Sequence, residues 1–252
     1  MKKIAYEEMF LNELTHPWYL VTRNLMLNFL KNNLNKHSFS TNKSARILDA
    51  GCGTGGTIAW LRKAGFRNVI GIDNNPYALA FCKKRGISEV KLYSVDQIPF
   101  GKESFDVVIC MDVLYHQGVN YKNALKEFNR ILKPGGLLYV QEPALDWLRG
   151  SHDKAIQTGH RFAKKELREL VINAHFNTVR CTYFNSFFLP PIMAMRLLGR
   201  IFRQIQPTSD VKELPYILNK FFLVILTLES KISEFFSLPF GLSIICMAQK
   251  KQ

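Results

Sequence analysis

The stretch Ile47-Leu-Asp-Ala-Gly-Cys-Gly-Thr-Gly-Gly56 decides the fold of this chain. An apolar run that ends in clustered glycines is typical of a strand that turns sharply into a helix. The glycines permit backbone conformations that a Cβ would forbid, and they let a ligand approach the main chain closely. The helix that follows presents unpaired N–H groups in its first turn. The stretch predicts a ligand-binding turn, although any tight strand-to-helix turn could use such glycines.

The sequence on both sides alternates between short apolar runs and helical patterns. Continuous apolar strands that alternate with helices form parallel sheets covered on both faces. We therefore expect an α/β fold with a doubly wound, mostly parallel, seven-stranded sheet. The predicted strands are 45–50, 68–73, 89–93, 105–110, 137–141, 177–184 and 242–249, and the predicted helices are 1–40, 57–63, 76–85, 121–132, 163–174, 190–203 and 214–236.

Three regions follow from this pattern. Residues 1–40 are expected to form an N-terminal helical cap, and residues 41–145 the ligand-binding core of the sheet. Residues 146–252 are expected to supply a helical elaboration together with the final strands. Within the core, Lys133-Pro-Gly-Gly136 is predicted to close the preceding helix.

The composition of the 252 residues bounds the function. A hydrophobic fraction of 47% excludes a disordered chain and a disulfide-stapled scaffold. The formal charge of +14 favours an anionic partner. Five cysteines without a CxxC pair predict no metal site and a reducing compartment. No apolar run approaches the ~20 residues that span a bilayer, and the N-terminus lacks a secretory pattern, so we expect a cytoplasmic protein.

A carboxylate ends the second predicted strand. Asp73 follows Gly55 by eighteen residues, a spacing at which an acidic side chain can accept both hydroxyls of an adenosine ribose. The alternative is that Asp73 caps the helix that begins near Pro76, although Asn74 or Asn75 would serve equally well as the cap.

Five segments in this order and spacing resemble class I S-adenosylmethionine-dependent methyltransferases, in particular the small-molecule group called type 11. The resemblance implies a Rossmann-like methyltransferase fold and S-adenosylmethionine as the cofactor. Two later segments, GHRFAKKELRELV and LPFGLS, are similar to segments of uncharacterised bacterial members of this group. The five segments are LDAGCGTGG at 48–56, GIDNNPYAL at 71–79, SVDQIPF at 94–100, FDVVICMDVLYH at 105–116 and LKPGGLLYV at 132–140.

The resemblance also implies which residues bind the cofactor. Asp96 would accept from the adenine amino group, because an exocyclic amine needs an acceptor; the alternative is a turn before Pro99. Met111 would face the sulfonium or its methyl, whereas a Met beside an apolar strand is usually core packing. The remaining positions are Asp49, Gly51 and Gly53 at the amino acid end, Cys52 as a small filler of that loop, Asp73 at the ribose, Asn74 against the adenine and Gln97 alongside it.

Two rival families fit less well. A nicotinamide-dependent dehydrogenase needs GxGxxG, and here the third glycine comes one residue early. The pair Tyr216 and Lys220 matches the Tyr-x-x-x-Lys spacing of short-chain dehydrogenases by chance, because no serine is placed as that family requires. Asn74-Asn-Pro-Tyr77 resembles the NPPY loop of amino-group DNA methyltransferases, but that loop belongs after the fourth strand.

The N-terminal helix adds two candidate cofactor residues. Tyr19 and Arg23 are four apart and share one helical face. In class I methyltransferases the segment before the first strand commonly covers the cofactor, so Arg23 could pair with the methionine carboxylate. The alternative is a solvated arginine beside a packed Trp18.

Methyl transfer from a sulfonium is an in-line displacement, so the protein mainly aligns the reactants and excludes water. A base is needed only if the acceptor must first lose a proton. His116, at the end of the segment after the fourth strand, is the candidate catalytic residue; the alternative is a polar residue that opens the next helix. Tyr115, His152 and His160 are placed near the same expected opening.

The acceptor is predicted from residues 149–203, which combine basic side chains with aromatic and aliphatic ones. This mixture favours a small or lipid-like acceptor with an anionic group. Two other interpretations stay open. A peripheral membrane contact would use Arg196, Arg200 and Arg203, whereas a dimer or lid helix would leave its basic face solvated.

Two further functions stay as alternatives to a small-molecule enzyme. The first is a catalytically silent interaction module that keeps the fold, and the second is an RNA-directed methyltransferase. The intact set Asp49, Asp73 and Asp96 favours an enzyme. No RNA-binding motif is visible, so we expect no nucleic-acid partner.

Overall fold

The glycine-rich stretch lies beside the central strand of a seven-stranded sheet with the order β3-β2-β1-β4-β5-β7-β6. The computed structural model describes residues 3–34, 44–149, 158–194 and 215–252. Strands β1 to β5 pair in parallel, and β7 is antiparallel to both β5 and β6. The predicted α/β fold is confirmed. The strands are β1 (Ile47–Ala50), β2 (Val69–Asp73), β3 (Val90–Leu92), β4 (Phe105–Met111), β5 (Leu132–Pro143), β6 (Phe176–Phe184) and β7 (Ser243–Lys250).

Helices cover both faces of this sheet, and local capping explains where two of them begin. The Asn75 side chain accepts from the Tyr77 N–H at 3.0 Å, while Pro76 fills the first helical position, where its missing N–H costs nothing. The Asn120 side chain accepts from the Asn123 N–H in the same way. The helices are α1 (Lys3–Asn12), α2 (Pro17–Leu34), α3 (Gly56–Lys63), α4 (Pro76–Lys84), α5 (Tyr121–Ile131), α6 (Lys164–Asn173) and α7 (Tyr216–Phe235).

Two apolar cores form because alternate residues of each strand point to opposite faces. Along β5, Leu138 and Val140 join the core that contains Phe128 of α5. Leu137 and Tyr139 join the opposite core, which includes α2 and α3. All these side chains are at most 1% exposed. Burial on both faces explains why the strands read as continuous apolar runs.

The predicted end of the helix before 133–136 is confirmed, because α5 ends at Ile131, but β5 begins at Leu132 and not at 137 as predicted. Leu132 pairs with Phe105, and the next pair is Leu137 with Val107. Four residues on β5 therefore face one on β4, which is a bulge. Gly135 has a φ of +76°, and a Cβ on Gly136 would lie 2.8 Å from the Lys133 carbonyl oxygen. The glycines serve this bulge rather than a loop.

Some predicted features lie outside the described residues. They are most of the break at 38–44, His152, and the part of the basic helix that holds Arg196, Arg200 and Arg203; residues 189–194 at its start are helical. Within the described ranges, no helix combines the length and apolar character needed to cross a membrane.

Candidate functional site

The glycine-rich turn connects β1 to α3 through left-handed backbone. Gly51, Gly53 and Gly55 have φ values of +85°, +52° and +84°, which only glycine adopts without strain. A Cβ on Gly51 would collide with the Val113 side chain, and one on Gly53 would lie 3.0 Å from the Met9 sulfur. Conformation and space both require glycine here, and the turn holds the amino end of α3 at the carboxyl edge of the sheet.

Cys52 fills this turn as expected of a small residue. It is 6% exposed, and a hydrogen bond with Cys82 together with burial raises the pKa of its thiol. The Cys82 Sγ in turn donates to the Gly53 carbonyl oxygen at 3.3 Å. Cys52 is therefore a neutral packing residue and not a nucleophile.

Asp49 brings a buried, incompletely satisfied carboxylate to the turn. It is 3% exposed, and among the described residues its Oδ2 atom has no hydrogen-bond partner. Burial raises its pKa from 3.8 to about 7, against the opposing effect of Arg23. A buried carboxylate oxygen without a donor is costly. Such an atom fits a ligand that brings a cationic donor, and the α-ammonium group of an amino acid is one.

Asp73 lies next to the turn at the end of β2. Its Oδ2 accepts from the Gly53 N–H at 3.1 Å, and its Oδ1 accepts from the Asn75 N–H at 2.9 Å and from the Tyr6 hydroxyl at 3.4 Å. Burial raises its pKa, although these hydrogen bonds lower it. Because Asn75 caps α4, Asp73 is not the helix cap. Its longest hydrogen bond is the one from Tyr6.

The adenine-side candidates follow β2 and β3 at the same edge. Asp96 is half-buried and accepts from the Ser94 hydroxyl and, at 3.1 Å, from the Asn120 N–H at the start of α5. Asn74 and Gln97 are exposed. The carboxyl ends of parallel strands meet at one edge, so these three residues extend the row that begins with Asp49 and Asp73.

A buried cluster of charged side chains, which the sequence analysis did not predict, lies at the amino end of α3. Glu13, which is 2% exposed, lies 2.5 Å from Arg23 Nη2 and 2.7 Å from Arg85 Nη2, and it accepts from the Thr54 hydroxyl. Arg23 is 3% exposed, so the interpretation as a solvated arginine is wrong. Its carboxylate partner here is Glu13 of the chain itself, and the predicted pairing of Arg23 with the methionine carboxylate stays a prediction.

Tyr19 lies between this cluster and the loop after β4. The Arg23 guanidinium is 5.2 Å from the centre of its ring. Burial raises the pKa of Tyr19, and the charges of Glu13 and Asp112 raise it further. The predicted shared face of Tyr19 and Arg23 is confirmed, and the hydroxyl stays protonated as a donor.

The loop after β4 carries a further carboxylate that the sequence analysis missed. Asp112 follows the half-buried Met111 and has a left-handed φ of +56°, which is costly for a non-glycine residue. Its Oδ2 accepts from Gln141 Nε2 at 3.0 Å, and no hydrogen bond from the described residues engages its Oδ1. Burial raises its pKa to about 6, although the Gln141 hydrogen bond and the Arg161 charge lower it.

Glu142 at the end of β5 holds this loop in place. Its carboxylate accepts from the N–H groups of Val113, Leu114 and Tyr115 at 3.2, 2.8 and 3.0 Å. Its side chain is fully buried, and burial with the nearby Asp112 charge raises its pKa well above the usual range. A charged residue inside an apolar strand was the sequence signal that could have identified it.

The loop and residues 158–162 run side by side. His116 forms a bridge with Thr158, and the N–H groups of Gly159 and His160 donate to the Tyr115 carbonyl oxygen at 2.8 and 3.1 Å. His116 is half-buried, with its ring 4.1 Å from that of Tyr115. The His160 ring lies 2.8 Å from Glu166 Oε1. The two predicted histidines are thus brought to one edge of the loop.

Comparison with known proteins agrees with this geometry. A family model described as a methyltransferase domain matches residues 48–140. Sterol 24-C-methyltransferase erg6 of Aspergillus fumigatus is 33% identical over 114 residues, which cover 42% of this chain and 30% of that protein. The uncharacterized methyltransferase YodH of Bacillus subtilis is 38% identical over 104 residues, covering 39% and 43%. The chain thus matches less than half the length of these relatives.

Solved structures share the fold at low identity. A putative sarcosine dimethylglycine methyltransferase from Galdieria sulphuraria has a TM-score of 0.59 at 17% identity and covers 92% of this chain and 86% of its own. A possible histamine N-methyltransferase from Thermotoga maritima has a TM-score of 0.57 at 20% identity, covering 98% and 95%. The similarity extends over nearly the whole chain, including the strands β6 and β7 outside the matched domain.

Proposed function

We propose that this chain, which carries a class I S-adenosylmethionine-dependent methyltransferase domain, moves the cofactor's methyl group to a small or lipid-like acceptor. The cofactor supplies an electrophilic methyl on its sulfonium. The protein's own residues bind the two reactants, orient them and exclude water, which is the main contribution that an in-line displacement needs. The observation that carries the proposal is the glycine turn with the unsatisfied Oδ2 of Asp49 beside it.

The residues present fit S-adenosylmethionine. Asp49 would hold its α-ammonium group, which supplies the donor that Oδ2 lacks. Asp73 would accept from the ribose hydroxyls in place of Tyr6. Asp96 would accept from the adenine amine, because a carboxylate oxygen engaged by one donor retains a second lone pair.

Asp112 is the base that the geometry favours for an acceptor that must lose a proton. Gln141 holds one carboxylate oxygen and leaves the other free of hydrogen bonds from the described residues. A pKa of about 6 keeps the group ionised at neutral pH, yet close enough to pH 7 to take a proton efficiently. His116 stays the second candidate, at the end of the same loop.

An apolar acceptor is favoured by the surroundings of Met111. Its side chain packs against the same apolar cluster that includes Phe184 and Phe188. Trp18 adds its ring 5.8 Å from Phe184, and Phe222 stacks on Phe188 at 4.3 Å. A site bordered by this apolar cluster would suit an acceptor with a large apolar body. The sterol methyltransferases among the relatives act on such a molecule, as their name states.

A transfer assay tests the proposal before any acceptor has been identified. Purified protein is incubated with S-adenosylmethionine labelled in its methyl group and with either the lipid or the aqueous fraction of a cell extract. The proposal predicts label in an organic-soluble product. Label in aqueous small molecules alone would support methyltransferase activity and contradict the proposal of a lipid-like acceptor. Label in RNA would establish the RNA-directed alternative, and no transfer with intact cofactor binding would favour a silent module.

A further inference from the structure

Helix α7 presents a continuous apolar line to solvent. Its members recur at steps of three and four residues, so they share one face of the helix. The first and last members are 18 positions apart, or about 27 Å at 1.5 Å per residue. We call this line the outer stripe; it consists of Ile217, Phe221, Val224, Leu228, Ile232 and Phe235, which are 80, 57, 57, 55, 41 and 78% exposed.

The opposite face of α7 fixes this orientation. The fully buried Glu229 accepts from the N–H groups of Ser186 and Phe187 at 2.7 and 3.3 Å. Leu226 is 2% exposed, and the Phe222 ring stacks on Phe188. Rotating the helix to bury the outer stripe would separate the Glu229 carboxylate from the two N–H groups that donate to it, which is strongly unfavourable. The exposure of the stripe is therefore built into the packing of the helix.

Positive charge accompanies the stripe along one side. Lys220 and Lys231 are exposed and eleven residues apart, so both lie on the same flank of the stripe. Of the two acidic residues of the helix, Glu229 is buried, and the exposed Glu234, three residues after Lys231, accepts from Asn28 Nδ2 at 3.0 Å. The whole chain carries a net charge of +14.

We propose that the outer stripe of α7 docks on an anionic lipid surface, with its apolar side chains among the acyl chains and Lys220 and Lys231 at the headgroups. An apolar face flanked by lysines is the pattern of helices that lie in the membrane interface. Lysine near an anionic surface adds about 1 kcal/mol each. Phe236 and Phe240, 69 and 49% exposed, extend the apolar surface beyond the end of the helix.

A second copy of the chain fits this face less well than lipid. A helix about 10 Å wide and about 27 Å long presents roughly 270 Å², whereas a stable interface buries about 800 Å² on each partner. A lipid surface needs no such area, because it surrounds each exposed side chain individually.

Vesicle co-sedimentation of the full chain tests the proposal, and its readout does not depend on methyl transfer. The protein should bind vesicles of equal parts phosphatidylglycerol and phosphatidylcholine, bind phosphatidylcholine alone more weakly, and detach from the anionic vesicles with added salt. The double variant Phe221→Gln with Leu228→Gln should lower the partition coefficient at least ~30-fold, given the usual value of burying such side chains. Lys220→Gln with Lys231→Gln should lower it ~30-fold on anionic vesicles only.

Ile172→Gln is the matched control, because Ile172 is an exposed apolar residue on α6. It should leave vesicle binding unchanged. Thermal unfolding and sedimentation velocity of each variant test whether another segment of this chain or a second copy of it covers the outer stripe instead of lipid. A dimer that the stripe substitutions dissociate would overturn the proposal. A stripe variant with clearly lowered thermal stability would also overturn it, because that result would mean that residues 195–214 of this chain cover the face. So would equal loss of binding in the control, or binding indifferent to the lysines.

Discussion

Replacing Asp49 with Asn should make the ligand-free protein more stable and, at the same time, impair cofactor binding. Asp49 is 3% exposed and its Oδ2 has no hydrogen-bond partner among the described residues, so folding keeps an ionised group in an unfavourable place. Its pKa rises from 3.8 to about 7. At about 1.36 kcal/mol for each pKa unit, ionised Asp49 costs up to roughly 4 kcal/mol above pH 7.

The sign of the pH dependence follows from the raised pKa. The folded state binds the Asp49 proton more tightly than the unfolded state, so this contribution favours folding at low pH and is lost as the pH rises from about 4 to about 7. The amide of the Asp49→Asn variant does not titrate, so the variant does not lose this stability as the pH rises. The stability difference between Asp49→Asn and the parent should therefore be near zero at pH 4 and grow to a few kcal/mol at pH 8.

Urea unfolding of both proteins across this pH range measures the difference. Asp106→Asn is the matched control, because the equally buried Asp106 accepts from the Arg46 N–H and from Lys133 Nζ, each at 2.7 Å. It should destabilise the protein at neutral pH. Calorimetry should show S-adenosylmethionine binding to Asp49→Asn at least about tenfold more weakly. A variant that is less stable than the parent at pH 8 would refute the reasoning.

Three further predictions address the rest of the site. Asp73→Ala should stay folded and lose ~2–4 kcal/mol of cofactor binding by calorimetry, since two hydrogen bonds to a carboxylate are removed; unchanged affinity would show that Asp73 is structural. With an acceptor in hand, the transfer rate should rise with pH through about 6 as Asp112 ionises, and Asp112→Asn should lose at least ~100-fold together with that pH dependence; a pH profile kept by the variant would point to His116. Glu142→Gln should destabilise the fold by about 1–3 kcal/mol in urea unfolding, because the amide NH2 group cannot accept from the Tyr115 N–H that one carboxylate oxygen now binds, and a variant as stable as the parent would contradict that role.

The sheet could be predicted from the sequence because its strands are buried on both faces. Such strands read as continuous apolar runs, and the glycines and Pro76 mark where they turn into helices. The row of carboxylates at Asp49, Asp73 and Asp96 follows from the same pattern, since each ends or follows a parallel strand. Strands, turns and the side chains at strand ends can be predicted because each depends mainly on neighbouring residues in the sequence.

The contacts that join distant segments could not be predicted in this way. Glu13 meets Thr54 and Arg85 across 41 and 72 residues, and no periodicity encodes such a meeting. Glu142 holds a loop almost thirty residues earlier in the chain. The outward face of α7 depends on Glu229 bonding to the backbone at Ser186; the sequence shows an apolar helix but not which side faces solvent.

Isothermal titration calorimetry of the purified chain with S-adenosylmethionine, S-adenosylhomocysteine and NAD tests the central claim most directly. The account predicts one site for each of the first two ligands and no heat with NAD. It also predicts that affinity for both falls as the pH is lowered through about 7, because protonated Asp49 no longer attracts an ammonium group. Tight binding of NAD, or the absence of binding by either sulfur ligand to the folded protein, would contradict it.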